Sequence, residues 1–148
     1  MPWRGAEYEG EFPTLGWMVG EWIESHCVIP DGEFAGKPYL LTDEMWVFLA
    51  HHYRLNEDAE VGWRATAFRH RRSQLVRPQK WGKSPFTAAL ICAEAEGPVL
   101  FDGWDASGNP VGRQWATPIV QITANSEDRR ATCIRRCCRW FSMGRWLM

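Results

Sequence analysis

The chain has 148 residues, 45% of them hydrophobic, and a formal net charge of −1. That is enough for one domain with a buried core, and it leaves no global positive field to attract nucleic acid. No apolar run approaches the ~20 residues of a membrane helix. The five cysteines, Cys27, Cys92, Cys133, Cys137 and Cys138, have no zinc spacing, and their odd number without a signal peptide points to a reducing cytoplasm.

In chain order, residues Met1 to Thr14 are rich in Gly, Pro and Glu and read as an extended arm. Thr14 is a candidate cap for a helix from Leu15 to about His26, with Leu15, Met18, Val19, Trp22 and Ile23 on one stripe. Pro30-Asp31-Gly32 breaks it. A second helix starts at Thr42, with Asp43 and Glu44 in its first turn, where acids are favoured. Met45, Trp46, Phe48, Leu49 and Tyr53 line one of its faces. His51 and His52 are adjacent and diverge by ~100° on a helix, so they do not share a metal easily. Most of the ten tryptophans read as core or subunit contact.

Asn56 to Gly62 is an acidic turn, and Trp63 to Phe68 alternates as a strand does. Ser73 to Val76 reads as a second strand. It leads into Arg77-Pro78-Gln79-Lys80-Trp81-Gly82-Lys83-Ser84, which ends like a phosphate-binding P-loop. In such a loop the amides of residues 80 to 83 and a helix N-terminus point at phosphate. Lys83 meets the β- and γ-oxygens, and the Ser84 hydroxyl coordinates Mg²⁺. The usual pattern G-x-x-x-x-G-K-[ST] wants glycine where Arg77 stands. Between Arg69 and Ala93 every charge is basic, as suits a triphosphate or a DNA backbone. A helix from Phe86 to Glu94 follows, ended by Gly97-Pro98. Val99 to Phe101 is a candidate strand, Asp105 to Gly112 a polar turn, and Pro118 to Thr123 a strong strand.

The stretch Arg77 to Ser84 resembles the deviant P-loop of phage terminase large subunits, in which the first glycine is often replaced and an arginine sits early in the loop. Three further stretches are similar to that family, in the family's order. Gly10 to Gly16 resembles its N-terminal opening, Gly36 to Glu44 its adenine-side segment, and Trp115 to Asp128 the strand and loop after the P-loop helix. The resemblance implies an α/β fold. It would be an incomplete P-loop NTPase-like domain, with a helical segment over residues 1–62 and a partial ATPase core with the P-loop over 63–128. It implies ATP and Mg²⁺ as cofactors. Double-stranded viral DNA, the portal and the small terminase subunit would be partners of the full-length family. The location would be the cytoplasm of an infected or lysogenic bacterial host.

By the same resemblance, Lys83 and Arg77 stabilise phosphate charge, Pro78, Gln79, Lys80, Trp81, Gly82 and Ser84 complete the loop, and Tyr39, Thr42 and Met45 lie on the adenine side. The family often has glutamine near position 45, so Met45 departs from its pattern. No apolar strand ending in an acid pair follows Ser84, and Leu100-Phe101-Asp102 is the nearest substitute. The implied function is a fragment of the ATP-hydrolysing DNA-packaging motor that is not active alone. Two other readings remain, a non-catalytic nucleotide-binding remnant and a small basic DNA-binding protein.

From Arg129 the composition changes. Six arginines, three cysteines and two tryptophans fall within residues 129–148 without a period of 2.0 or 3.6. This aberrant tail reads as out-of-frame translation or truncation, with a basic DNA-binding tail as the alternative.

Overall fold

A computed structural model describes residues 3–29, 32–62, 67–121 and 123. The tail expected to be aberrant, 129–148, lies outside these. Among the described residues the chain forms three helices, α1 (Gly16–His26), α2 (Asp43–His52) and α3 (Lys83–Glu96), then strands β1 (Leu100–Trp104) and β2 (Pro110–Arg113).

Each helix begins where a local signal frees or fills its first amides. Thr14 sits just before α1, and its buried hydroxyl accepts from the Gly16 amide at 2.9 Å while donating to the Ala50 carbonyl at 2.7 Å. The N-cap position itself is Leu15, which has no side-chain cap bond, so Thr14 fills the first amide of α1 from one residue further out and ties the helix to α2. Thr42 caps α2 by accepting from the Met45 amide at 3.4 Å. α3 starts behind Gly82, whose φ of 97° is open to glycine at little cost.

The core is the stripe Leu15, Val19 and Ile23 of α1, packed with Met45 and Leu49 of α2 and with Phe86, Ala89, Cys92 and Ala93 of α3. α1 meets α2 at a close approach made possible by two glycines one turn apart. A Cβ on Gly16 would fall 2.5 Å from the Leu49 carbonyl oxygen, and one on Gly20 would fall 2.0 Å from the Trp46 ring. α2 and α3 run the same way. Gly82 lies by Met45, Phe86 packs edge-on to Phe48 at 5.6 Å, and Glu94 accepts from the Tyr53 hydroxyl. Both helices therefore begin at the loop before α3 and end at a common far side.

After α3 the chain makes an antiparallel hairpin of β1 and β2, with a register shift between Phe101 and Gly103. The Asp105 carboxylate closes the turn by accepting from the Ser107 and Asn109 amides at 2.7 and 2.8 Å, and these bonds hold it below its ordinary range.

Two expected strands need correction, and a third lies mostly outside the described residues. Ser73 to Val76 is not a strand: residues 72–78 carry no ladder, and Val76 is 71% exposed. Residues 118–121 and 123 form none either, and Ile119 is 94% exposed. Of the span from Trp63 to Phe68, residues 63–66 lie outside the described residues, and Phe68 forms a single bridge with Leu55. β-Branched composition marks a segment that fits a sheet, but a strand also needs a partner. Among the described residues no strand lies beside these segments. Among the described residues the paired strands are those of the hairpin after α3.

Candidate functional site

The loop from Arg77 to Gly82 is shaped by two left-handed residues, Lys80 with φ of 64° and Gly82 with φ of 97°. A non-glycine residue in that region is uncommon and marks a tight turn. The turn brings Lys83, the first residue of α3, back over its own loop. Its Nζ donates to the carbonyls of Arg77 and Pro78, both at 2.7 Å. The ammonium is thereby held inside the curve of the loop. Ser84 follows, exposed, in the first turn of α3. Gln79 is exposed at the outer turn with Lys80.

The N-terminus of α2 forms the wall opposite. Glu44 Oε2 accepts from Arg77 Nε at 3.1 Å and from Trp81 Nε1 at 2.8 Å. The Arg77 guanidinium also lies 5.7 Å from the Trp81 ring centroid. Trp81 in turn packs edge-on against Phe86 at 6.1 Å. Met45 reaches towards Gly82, and the Tyr39 hydroxyl donates to the Met45 sulfur at 3.8 Å. Of the second group, Met45 lies by Gly82 of the loop, while Tyr39 touches Met45 and Thr42 caps the same helix, although more than 30 positions separate Met45 from Arg77 to Ser84. Reading the sequence missed Glu44 as a member of the site. The only available signal was an acid in the first turn of a helix, which has an ordinary explanation.

Asp102, the nearest substitute for a metal-binding acid, sits on β1 beyond the far end of α3 and pairs with Arg113 at 3.1 Å. That pairing engages it within the hairpin. The His51 ring lies tilted against Phe12 at 5.0 Å while His52 Nδ1 bonds Ser73 Oγ at 2.6 Å, so the two rings diverge. Among the described residues no three His, Cys, Asp or Glu side chains gather as a metal centre.

At the far ends of α2 and α3 opens a cleft of about 510 Å³, bordered by His52, Tyr53, Phe68, His70, Glu94 and Trp115. Burial pushes the Glu94 carboxyl above its ordinary range, against the pull of the hydrogen bond from Tyr53. Burial, then the charge and hydrogen bond of Glu94, push Tyr53 well up. Burial and the neighbouring His70 push His52 down. Among the described residues no helix is long and apolar enough to cross a membrane.

The chain is similar to the "Gene 13 protein" of Mycobacterium phage L5, 31% identical over 134 residues covering 78% of this chain and 21% of the relative. It is also similar to the "Gene 13 protein" of Mycobacterium phage D29, 29% identical with the same coverage. The chain thus spans about a fifth of the length of these relatives. No family model matches it, and no solved structure matches it.

Proposed function

We propose that this chain carries the ATP-binding segment of a phage DNA-packaging motor of the terminase large-subunit type, and that it binds nucleotide without turning it over. The observation that carries this reading is the position of Lys83. Its ammonium lies within the loop at the start of α3, on the carbonyls of Arg77 and Pro78. An incoming β- or γ-phosphate would exchange those carbonyls for charged oxygens, and charge-assisted hydrogen bonds are the stronger ones. The amides at the start of α3 favour the same anion. Arg77 would add a second cation near the γ-phosphate, and Met45 with Tyr39 and Thr42 would border the base.

The donor set also suits Mg²⁺ in part. Ser84 offers an exposed hydroxyl one residue beyond Lys83 that would hold a Mg²⁺ accompanying the phosphates. Bound there, the metal would neutralise charge on the phosphates. Turnover needs in addition an acid to hold that metal and a group to orient water. Asp102 is engaged with Arg113, which supports binding without hydrolysis by this chain. The phage origin of both relatives supports the setting, and viral DNA, portal and small subunit belong to the proposed whole motor.

The test is calorimetric titration of Mg²⁺-ATP into the chain and its Lys83→Ala variant. We expect affinity to fall by roughly tenfold or more, since one charge-assisted contact is lost. Equal affinity in both proteins refutes the reading. Salt-dependent DNA binding that ATP does not alter would favour the small basic protein instead.

A further inference from the structure

We propose that Glu44 is a built-in stand-in for phosphate, a carboxylate that occupies the loop's oxyanion donors and sets the loop's affinity for polyphosphate. The inference rests on the reading of Arg77 to Ser84 as a phosphate loop and names how that site is regulated.

Two donors from different parts of the loop, Arg77 Nε at 3.1 Å and Trp81 Nε1 at 2.8 Å, converge on one oxygen of Glu44. A guanidinium and an indole N–H aimed at a single negative oxygen form the arrangement that a phosphate oxygen would receive. Glu44 comes from another element, 33 positions from Arg77 in the chain. It spans the loop entrance from the wall opposite, and Met45 beside it faces Gly82.

Its carboxylate is paired with Arg77, one of the three cations that the loop carries with Lys80 and Lys83. Any polyanion entering the loop must therefore displace Glu44 from Arg77 or bind against its charge. The side chains of Arg77 and Glu44 are 40% and 57% exposed, so the pair is screened and easily exchanged. A screened pair suits a latch that opens on binding. The loop thus gives up some affinity in return for an ordered empty state.

The experiment titrates the full chain with tripolyphosphate and with Mg²⁺-ATP. Wild type is compared with Glu44→Gln, Lys83→Ala and, as a control for bulk charge, the exposed Glu33→Gln. We expect Glu44→Gln to bind both ligands roughly three- to tenfold tighter, the scale set by removing one screened like charge. Glu33→Gln should match wild type. In nuclear magnetic resonance spectra, the Trp81 indole N–H, assigned with Trp81→Phe, should move on Glu44→Gln. It should move the same way when tripolyphosphate binds wild type.

Equal or weaker binding by Glu44→Gln overturns the proposal, because Glu44 would then be idle or would position Arg77 for the ligand. An equal gain in Glu33→Gln also overturns it, by showing a bulk charge effect. If Lys83→Ala binds as wild type while Glu44→Gln binds tighter, the latch stands and the P-loop reading falls. If neither wild type nor Glu44→Gln binds either ligand, both fall.

Discussion

Gly82 separates the shape of the loop from the space around it. A Cβ at this position would meet only the Met45 methyl, at 3.9 Å, an ordinary contact. Its φ of 97° is nevertheless in the region where an L-residue is strained. Gly82→Ala therefore has room but the wrong backbone, and its cost is conformational, ~1–2 kcal/mol. That figure corresponds to roughly a 5–30-fold loss in the population of the observed loop. If this is the loop that receives phosphate, Mg²⁺-ATP should bind Gly82→Ala roughly 5–30-fold more weakly, because a receptor's affinity scales with its competent fraction. Gly82→Asn, which tolerates the left-handed region better, should lose less. Calorimetry gives the affinities, and circular dichroism melting shows whether the fold is kept. Unchanged affinity in a folded Gly82→Ala would show that the binding loop is not the loop described above.

Two further predictions concern stability. Gly16→Ala keeps a helical φ but drives a Cβ to 2.5 Å from the Leu49 carbonyl and 2.6 Å from the Ala50 Cα, both backbone atoms. We expect a loss of ~1–3 kcal/mol by overpacking, measured by urea denaturation, and equal or greater stability would refute the close approach. Glu94 has its carboxyl pushed up by burial, so its contribution is present below the ordinary carboxylate value and lost as pH rises through the raised one. Glu94→Gln mimics the neutral acid, and its melting temperature should gain on wild type as pH rises from the ordinary carboxylate value through the raised one. A constant difference would contradict the assignment. His52 acts in the opposite sense, its contribution being present above its ordinary value and lost as pH falls through the lowered one. It is common to both proteins and cancels in the comparison.

Much of the helical frame was legible because its signals are local. Thr42 before two acids marked the start of α2, and Gly97-Pro98 marked the end of α3. Of the stripe Leu15, Met18, Val19, Trp22 and Ile23, Leu15, Val19 and Ile23 are fully buried, while Met18 and Trp22 are half-buried. β2 was missed because Pro110-Val111-Gly112-Arg113 is poor strand material, recruited by the Asp105 turn and by pairing with β1. The opposite error occurred at Ser73 to Val76, where suitable residues find no neighbour. At the site, the order Gly82-Lys83-Ser84 marked the loop that opens α3, and the resemblance singled out Tyr39, Thr42 and Met45. The meeting of Glu44 with Arg77 and Trp81 is a tertiary event between distant segments, and no spacing rule encodes it.

The paired glycines of α1 also decide where the site can yield. With Gly16 against the backbone of Leu49 and Ala50, and Gly20 under the Trp46 ring, α1 and α2 have little slack between them. Close-packed interiors compress very little. A push on the first turn of α2 is therefore borne by two helices at once, and that wall is stiff. The loop from Arg77 to Gly82 is largely exposed and joined to the wall through side chains. Compliance is thus concentrated on one side: under a load placed between them, the loop is the part that deforms while the helix pair keeps its shape.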